Sequence, residues 1–447
     1  MHIIVIGAGE VGSHVAELLS AEGNDVAVVE QDAARVREVE QRLDVLAVCG
    51  SGTHPATLRS AGLDRAELLV AVSSDDEANL IACLLAKQAG VRRAIARIEA
   101  PALRGKEAAE LHAAMGADLI IDPDEEVASE VMDLLDYPGA SEIAVLGGGE
   151  VIVIGARLGP DAPLVGRTLG GIAAEYEPEW EFMVGAITRG EDTIIPRRNH
   201  RLEANDLVRM VVKRRARRDV LGLLGLDAAR PHRVMILGGG RTGQILAGRL
   251  ADRHARVSVV ERDPVRAREI AEALEGVLVI EGDIGDAELL ASEDVGGQDA
   301  VVAVTGEDDA NILACLFAKS MGTTETIAVL HRLSLRGLLN EVGIDVALSP
   351  RTASANGVLR FVRGGVAQVA TFLDMDVEVL ELSVMDGSPG DGAVVSELGL
   401  PKEVLIGAIV RDGKAQIARG HSELRSRDHL VVFARPQTVA AVQRLFA

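Results

Sequence analysis

The residues with the plainest chemistry are three glycines and an acid. Gly7, Gly9 and Gly12 stand in GAGEVG at the G-x-G-x-x-G spacing, and Glu30 closes a second apolar run, Val26 to Val29. Gly7 permits a tight turn, Gly9 lets a pyrophosphate approach the backbone, and Gly12 lets a helix pack close against a sheet. Glu30 can accept hydrogen bonds from both hydroxyls of an adenosine ribose. Its charge disfavours a 2′-phosphate, so the expected dinucleotide is NAD rather than NADP. The same glycines can also form a strand-to-helix turn that holds no ligand. Strand, helix and acid all fall in place here, which favours binding.

These residues need a βαβ frame to position them. Ile3 to Ile6 form a β-branched run suited to a strand buried on both faces of a parallel sheet. The phosphates would rest on the N-terminus of the helix after the glycines. DAARVREVEQRL predicts a further helix and LAVCG a further strand. The run LLVAV puts Ser73 and Ser74 at the carboxyl edge of the sheet, where open α/β sheets bind ligands. The short strand AIARI carries Arg97, which either reaches a bound phosphate or pairs with a carboxylate such as Glu99. Leu119 to Asp122 predicts a strand closed by Pro123, and EEVASEVMDLLDYPG an amphipathic helix ended by Pro138 and Gly139.

From Ile143 to about Val212 the chain changes to short β-branched runs separated by turn residues, the pattern of a small β-rich domain. KRRARRD follows, and reads as a solvated linker or helix face. At Arg233 the opening motif returns as RVMILGGGRTGQILAGRLADRHARVSVVE, with Gly238 and Glu261 each 231 residues after Gly7 and Glu30. AVSSDDEANLIACLLAKQAG is echoed by AVTGEDDANILACLFAKSMG, which aligns Ser73 and Ser74 with Thr305 and Gly306. The β-rich segment repeats at an offset of 222, pairing Arg189 with Arg411 and Asp206 with Asp428. The chain is an internal duplication in the order nucleotide-type, β-rich, nucleotide-type, β-rich. The expected limits are 1–135, 140–225, 232–370 and 375–447.

The 447 residues are too many for one core. No apolar run reaches the ~18 residues of a membrane span, and no basic segment precedes a cleavable apolar one, so a soluble cytoplasmic protein is expected. Cys49, Cys83 and Cys315 do not suit a disulfide framework, and the latter two read as small buried hydrophobes in helices. A net charge of −22, spread along the chain, argues against nucleic acid or an anionic lipid surface as partner. It favours a basic partner, such as the cytoplasmic loops of a membrane protein. His54, His200 and His331 stand alone as surface or capping residues, and Lys87 and Lys319 recur on helices as structural residues. No metal site and no catalytic constellation is expected.

GAGEVG with Glu30, SSDDEAN, ARI with Arg97, ADLIIDP, VALSPRTASAN and the two β-rich repeats together resemble the TrkA family of cytosolic regulators of Trk potassium uptake, over essentially the whole chain. The resemblance implies an α/β fold. Two Rossmann-like RCK (or KTN) N-terminal domains with parallel sheets would each be followed by a small α+β TrkA-C domain. It implies binding of NAD(H) or of ATP or ADP, and assembly of copies into a ring. It also implies docking on a TrkH/TrkG-like membrane potassium-translocating subunit, hence a peripheral place at the inner face of the plasma membrane. The implied cofactor contacts are the loop Gly7, Ala8, Gly9, Glu10, Val11 and Gly12, then Glu30, Ser73, Ser74 and Arg97. In the second copy they are Gly238, Gly239, Gly240, Arg241, Thr242 and Gly243, then Glu261, Thr305 and Gly306. Here AIARI becomes TIAVLH, and Val329 stands where Arg97 did, so the two sites are expected to be unequal. Arg241 and Arg262 offer charge from another side. The alternatives from other classes are an NAD-dependent oxidoreductase and the regulatory tail of a potassium efflux antiporter.

Overall fold

The computed structural model describes residues 1–21, 23–103, 106–190, 192–226, 229–332, 343–362, 366–370 and 377–446. The sequence boundary placed between 370 and 375 falls largely outside them.

The opening apolar runs form a six-stranded parallel sheet: β1 (His2–Ile6), β2 (Asp25–Glu30), β3 (Leu46–Cys49), β4 (Leu68–Ala71), β5 (Arg93–Arg97) and β6 (Leu119–Ile121), in the order β3-β2-β1-β4-β5-β6. The strand order runs one way from β1 to β3 and the other way from β4 to β6, and this reversal between β1 and β4 opens a crevice at their carboxyl ends. A five-stranded antiparallel sheet follows, built from β7 (Glu142–Leu146), β8 (Val151–Arg157), β9 (Phe182–Arg189), β10 (Asp192–Ile194) and β11 (Leu207–Lys213), in the order β10-β9-β11-β8-β7.

The second copy repeats both. Its parallel sheet is β12 (Arg233–Leu237), β13 (Arg256–Glu261), β14 (Val277–Glu281), β15 (Ala300–Ala303), β16 (Glu325–Val329) and β17 (Val346–Leu348), in the order β14-β13-β12-β15-β16-β17. Its β-rich sheet is β18 (Val366–Ala370), β19 (Glu378–Ser383), β20 (Val404–Arg411), β21 (Lys414–Ile417) and β22 (His429–Ala434), in the order β18-β19-β22-β20-β21. In both β-rich domains a buried aspartate takes a two-pronged arginine at the same place: Arg189 on Asp206 at 2.8 Å through each nitrogen, Arg411 on Asp428 at 2.7 and 2.6 Å.

Packing does not follow the repeat. One compact unit is Met1–Glu126 with Arg351–Gly364, and the other is Val127–Pro350 with Gly365–Ala447. The helix closing each nucleotide-type copy is thus exchanged. Ala355, Val358, Leu359 and Val362, from helix Pro350–Val362, join Val15, Leu19, Val70, Ile95 and Ile121 in the core of the first sheet. Approach is close enough that a Cβ on Gly357 would lie 2.8 Å from Ile121 Cδ1. Helix Pro123–Leu135 lies instead with the second copy, where Arg249 donates to Ser129 Oγ and Arg253 to Asp136 Oδ1, both at 3.0 Å.

The two β-rich sheets share a core of Val153, Val211, Val379, Val431 and Phe433, and meet across two equivalent glycines. A Cβ on Gly185 would strike the Phe433 ring, and one on Gly407 would sit 2.7 Å from Val211 Cγ2. Equivalent arginines cross reciprocally at the rim of a cavity of about 650 Å³ between these domains. Arg197 donates to Lys402 O at 2.8 Å, while Arg419 donates to Pro178 O at 2.6 Å and stacks on Trp180. No helix among the described residues is long and apolar enough to cross a membrane.

Candidate functional site

Each glycine loop turns out of the central strand of its parallel sheet at the reversal point. Gly7 and Gly238 take φ of +97° and +114°, a conformation that suits glycine. At Gly12 an added Cβ would lie 1.9 Å from Gly7 O, and at Gly243 2.0 Å from Gly238 O, so the helix crosses the strand end at contact distance. Gly9 and Gly240 are the opposite case. No atom of the described residues lies within 4 Å of a Cβ built on either, which leaves open space beside a backbone at a helix N-terminus. The cradle thus fits a pyrophosphate at the position the spacing assigns to it.

The acid that ends the second strand braces this loop. Glu30 Oε2 accepts the Ala8 N–H at 2.7 Å and Oε1 accepts those of Gln31 and Asp32 at 2.7 and 3.0 Å. Glu261 does the same with Gly239 and Asp263, both at 2.9 Å. Glu261 is more enclosed, 5% exposed, and Arg266 lies 3.7 Å away. The change from Ala8 to Gly239 has a steric cause. A Cβ at 239 would meet Ile270 Cδ1 at 2.5 Å, whereas the first copy carries the shorter Val39 there.

Across the crevice, the first site presents Ser73 and the exposed Ser74, the second Thr305 and the exposed Gly306. Buried asparagines set their backbone. Asn79 Oδ1 accepts from Ser73 N and Oγ at 3.0 and 2.7 Å, and its Nδ2 donates to Ser73 O at 3.0 Å and Arg97 O at 2.9 Å. Asn311 accepts from Thr305 N and Oγ1 at 3.1 and 2.5 Å and donates to Thr305 O and Val329 O, both at 2.9 Å. Asp76 and Asp308, three residues earlier, take the backbone N–H groups that follow the next strand: those of Glu99 and Ala100 at 2.9 and 2.6 Å, and of His331 and Arg332 at 2.9 and 2.8 Å. Sequence reasoning used these asparagines to align the repeat and missed their positioning role. The D-x-A-N echo, Asp76 to Asn79 and Asp308 to Asn311, was the available signal.

The shared asparagine bond places Val329 on the backbone position of Arg97. Arg97 is paired with Glu99 through Nη2, and its Nε is buried with no hydrogen-bond partner among the described residues. In the second copy the charges sit elsewhere. Arg262 pairs with Glu307 at 2.8 Å, Arg332 with Asp309 at 2.6 Å and with Asp308 at 3.3 Å, and His331, solitary in the sequence, lies 3.1 Å from Asp308. Glu10 and Arg241 each begin the helix after their loop, Glu10–Ala21 and Arg241–Asp252, followed by Val11 and Thr242. The carboxylate suits the positive end of its helix dipole, whereas the guanidinium there favours a bound anion. Lys87 and Lys319 are away from the cradles, tying helix ends to Asp118 and Asp345 at 2.7 Å.

Fold and sites together define a doubly duplicated protein with Rossmann-type nucleotide cradles. A model of the TrkA-N domain matches residues 3–123 and 234–350, and one of the TrkA-C domain matches residues 153–225 and 379–447. The chain belongs to the TrkA family. It is 33% identical to the Trk system potassium uptake protein TrkA of Halomonas elongata over 452 residues, covering 100% of this chain and 98% of that one. It is 35% identical to TrkA homolog 2 of Methanosarcina mazei over 455 residues, covering both chains fully. Among solved structures, the GsuK channel bound to NAD has a TM-score of 0.60 at 16% identity, over 99% of this chain and 78% of that one. That likeness is one of fold.

Proposed function

We propose that this chain is a nucleotide-binding regulatory subunit of a Trk-type potassium uptake system. It binds NAD(H), or ATP or ADP, without transforming it, and acts on a TrkH/TrkG-like membrane subunit as part of a homo-oligomeric ring at the inner face of the plasma membrane. The observation that carries the reading is the pair of congruent cradles, each with an open second glycine and a carboxylate bracing its loop. The groups at the first mouth are hydroxyls and an arginine, which hold an anion. Full-length relatives named for Trk potassium uptake support the physiological part. In the first site, Gly7 to Gly12, Glu30, Ser73, Ser74 and Arg97 make the contacts. In the second, Gly238 to Gly243, Glu261, Thr305 and Gly306 do so.

Regulation follows if the nucleotide favours one arrangement of the paired domains over another by differential affinity. The test is calorimetric titration of the purified chain with NAD, NADH, ATP and ADP, alongside potassium flux through the reconstituted membrane subunit with and without the chain. Nucleotide-dependent flux is expected. Identical flux under every nucleotide, or steady NADH consumption with a small carbonyl substrate at enzymatic rates, overturns the reading.

A further inference from the structure

Glu325 opens β16 at 3% exposure, yet its carboxylate is poorly satisfied. Oε1 accepts the backbone N–H of Gly139 at 3.2 Å, and Oε2 is buried with no hydrogen-bond partner among the described residues. Gly139 lies in the turn between the exchanged helix Pro123–Leu135 and β7, where the chain passes into the first β-rich domain. That turn is tightly packed, since a Cβ on Gly139 would sit 2.8 Å from Leu226 Cδ2.

The equivalent position in the first copy, 232 residues earlier, is Arg93. Arg93 Nη1 donates to Phe361 O at 3.0 Å, at the end of the other exchanged helix, and the guanidinium lies 5.8 Å over the Phe361 ring. One copy therefore grips its borrowed helix with a group that does not titrate in proteins. The other grips the turn just beyond its borrowed helix with one that does.

An ionised carboxylate held by a single N–H donor is costly in an interior. Its charged surroundings offer little relief. Asp345 opposes ionisation, and Lys319, which favours it, is already bound to Asp345 at 2.7 Å. Asp299 lies beside Glu325 through its backbone carbonyl, while its carboxylate takes the N–H groups of His232 and Arg233 at 2.8 Å. Burial above all, with Asp345 adding to it, outweighs the Gly139 N–H and Lys319 and pushes the Glu325 pKa up to about 7.

We infer that Glu325 is a proton-operated latch between the second nucleotide-type domain and the turn leading into the first β-rich domain. Protonated, it holds the turn in place. Ionised, it favours an opened junction in which the carboxylate reaches water. The junction thus tightens on acidification near neutrality, whatever nucleotide the cradles hold.

The test is hydrogen exchange of the full chain, reported as protection of the amides of residues 134–142 corrected for the intrinsic rate, from pH 5.5 to 7.5. With a raised value in the closed junction and an ordinary one in the open, protection in the wild type falls by about twentyfold over that range. Glu325→Gln keeps the shape without the charge, so its protection is flat. In Asp345→Asn ionisation within the closed junction is eased and the raised value drops toward the ordinary one, so the fall levels off at lower pH and its total is smaller than in the wild type. A flat wild-type curve, or a Gln variant that tracks the wild type, overturns the latch. If the Gln variant does not fold, an Asp345→Asn curve with an undiminished fall overturns it.

Discussion

Asn79 and Arg97 are joined through the backbone, the asparagine Nδ2 donating to the arginine carbonyl at 2.9 Å while its Oδ1 holds the Ser73 N–H at 3.0 Å. One fully buried amide therefore fixes both strand ends that face the first glycine loop. Asn79→Ala leaves buried donors and acceptors without partners, and the expected loss of stability is about 3 kcal/mol. Urea denaturation measures it. A loss within 0.5 kcal/mol of zero, roughly the scatter of neutral surface changes, would show that water takes over these bonds.

Gly9 and Gly12 separate binding from folding. A Cβ at Gly9 meets nothing within 4 Å, whereas one at Gly12 would collide with Gly7 O at 1.9 Å. Gly9→Ala is expected to leave the melting temperature nearly unchanged and to weaken nucleotide binding by tenfold or more, an order-of-magnitude figure for one lost backbone contact to phosphate. Gly12→Ala is expected to destabilise the first domain itself. Unaltered affinity in Gly9→Ala would remove the pyrophosphate from this loop.

The glycine loops were legible in the sequence because positive φ and contact-distance crossing leave few residue types able to serve, and because the second copy repeats them in register. The duplication of both domain types was legible for the same reason. The helix exchange was not. Helices Pro123–Leu135 and Pro350–Val362 carry apolar faces that suit either of two homologous cores, and hydrophobic periodicity does not say which one they join. Nor does it reveal that Arg93 and Glu325 do corresponding work, one with a fixed charge and the other with a carboxyl that holds when protonated. That depends on which backbone group the exchanged segment brings to each.

Cys49 is exposed, while Cys83 and Cys315 are buried, and burial pushes both thiols up to about 12. Since the thiolate is the reactive form, a thiol reagent at neutral pH is expected to modify Cys49 alone in the folded protein and all three after denaturation. Mass spectrometry of the labelled chain reads this directly. Prompt labelling of Cys315 in the folded protein would contradict its place under the second sheet.

Asp308 should shape the acid limb of the stability curve. Burial opposes its ionisation, but the N–H groups and side chains of His331 and Arg332 overrule burial and hold the carboxyl below its ordinary value of 3.8. For an acid depressed in the folded state, the stabilisation is present above the unfolded value and is lost as pH falls through the folded one. Asp308→Asn is therefore expected to be less stable than the wild type at neutral pH, with the difference shrinking below about pH 4. A difference that stays constant down to pH 2 would assign the effect to hydrogen-bond geometry alone.

The two cradles should rank nucleotides differently, because Arg97 is replaced by Val329 and because Arg97 is already engaged. In the structure its guanidinium is paired with Glu99, a half-exposed carboxylate, so a bound phosphate must compete with that partner. A charge-assisted contact is worth roughly 1.5–3 kcal/mol, one to two factors of ten in affinity, less whatever the Glu99 pair contributes. Arg97→Ala is accordingly expected to weaken the first site by about tenfold and leave the second unchanged. Glu99→Gln works the other way, freeing the guanidinium and tightening the first site severalfold. Titration of NAD, NADH, ATP and ADP into the wild type and both variants resolves the two sites. Equal sites in the wild type, equal weakening of both in Arg97→Ala, or weaker binding in Glu99→Gln would each show that Arg97 does not face the ligand phosphates.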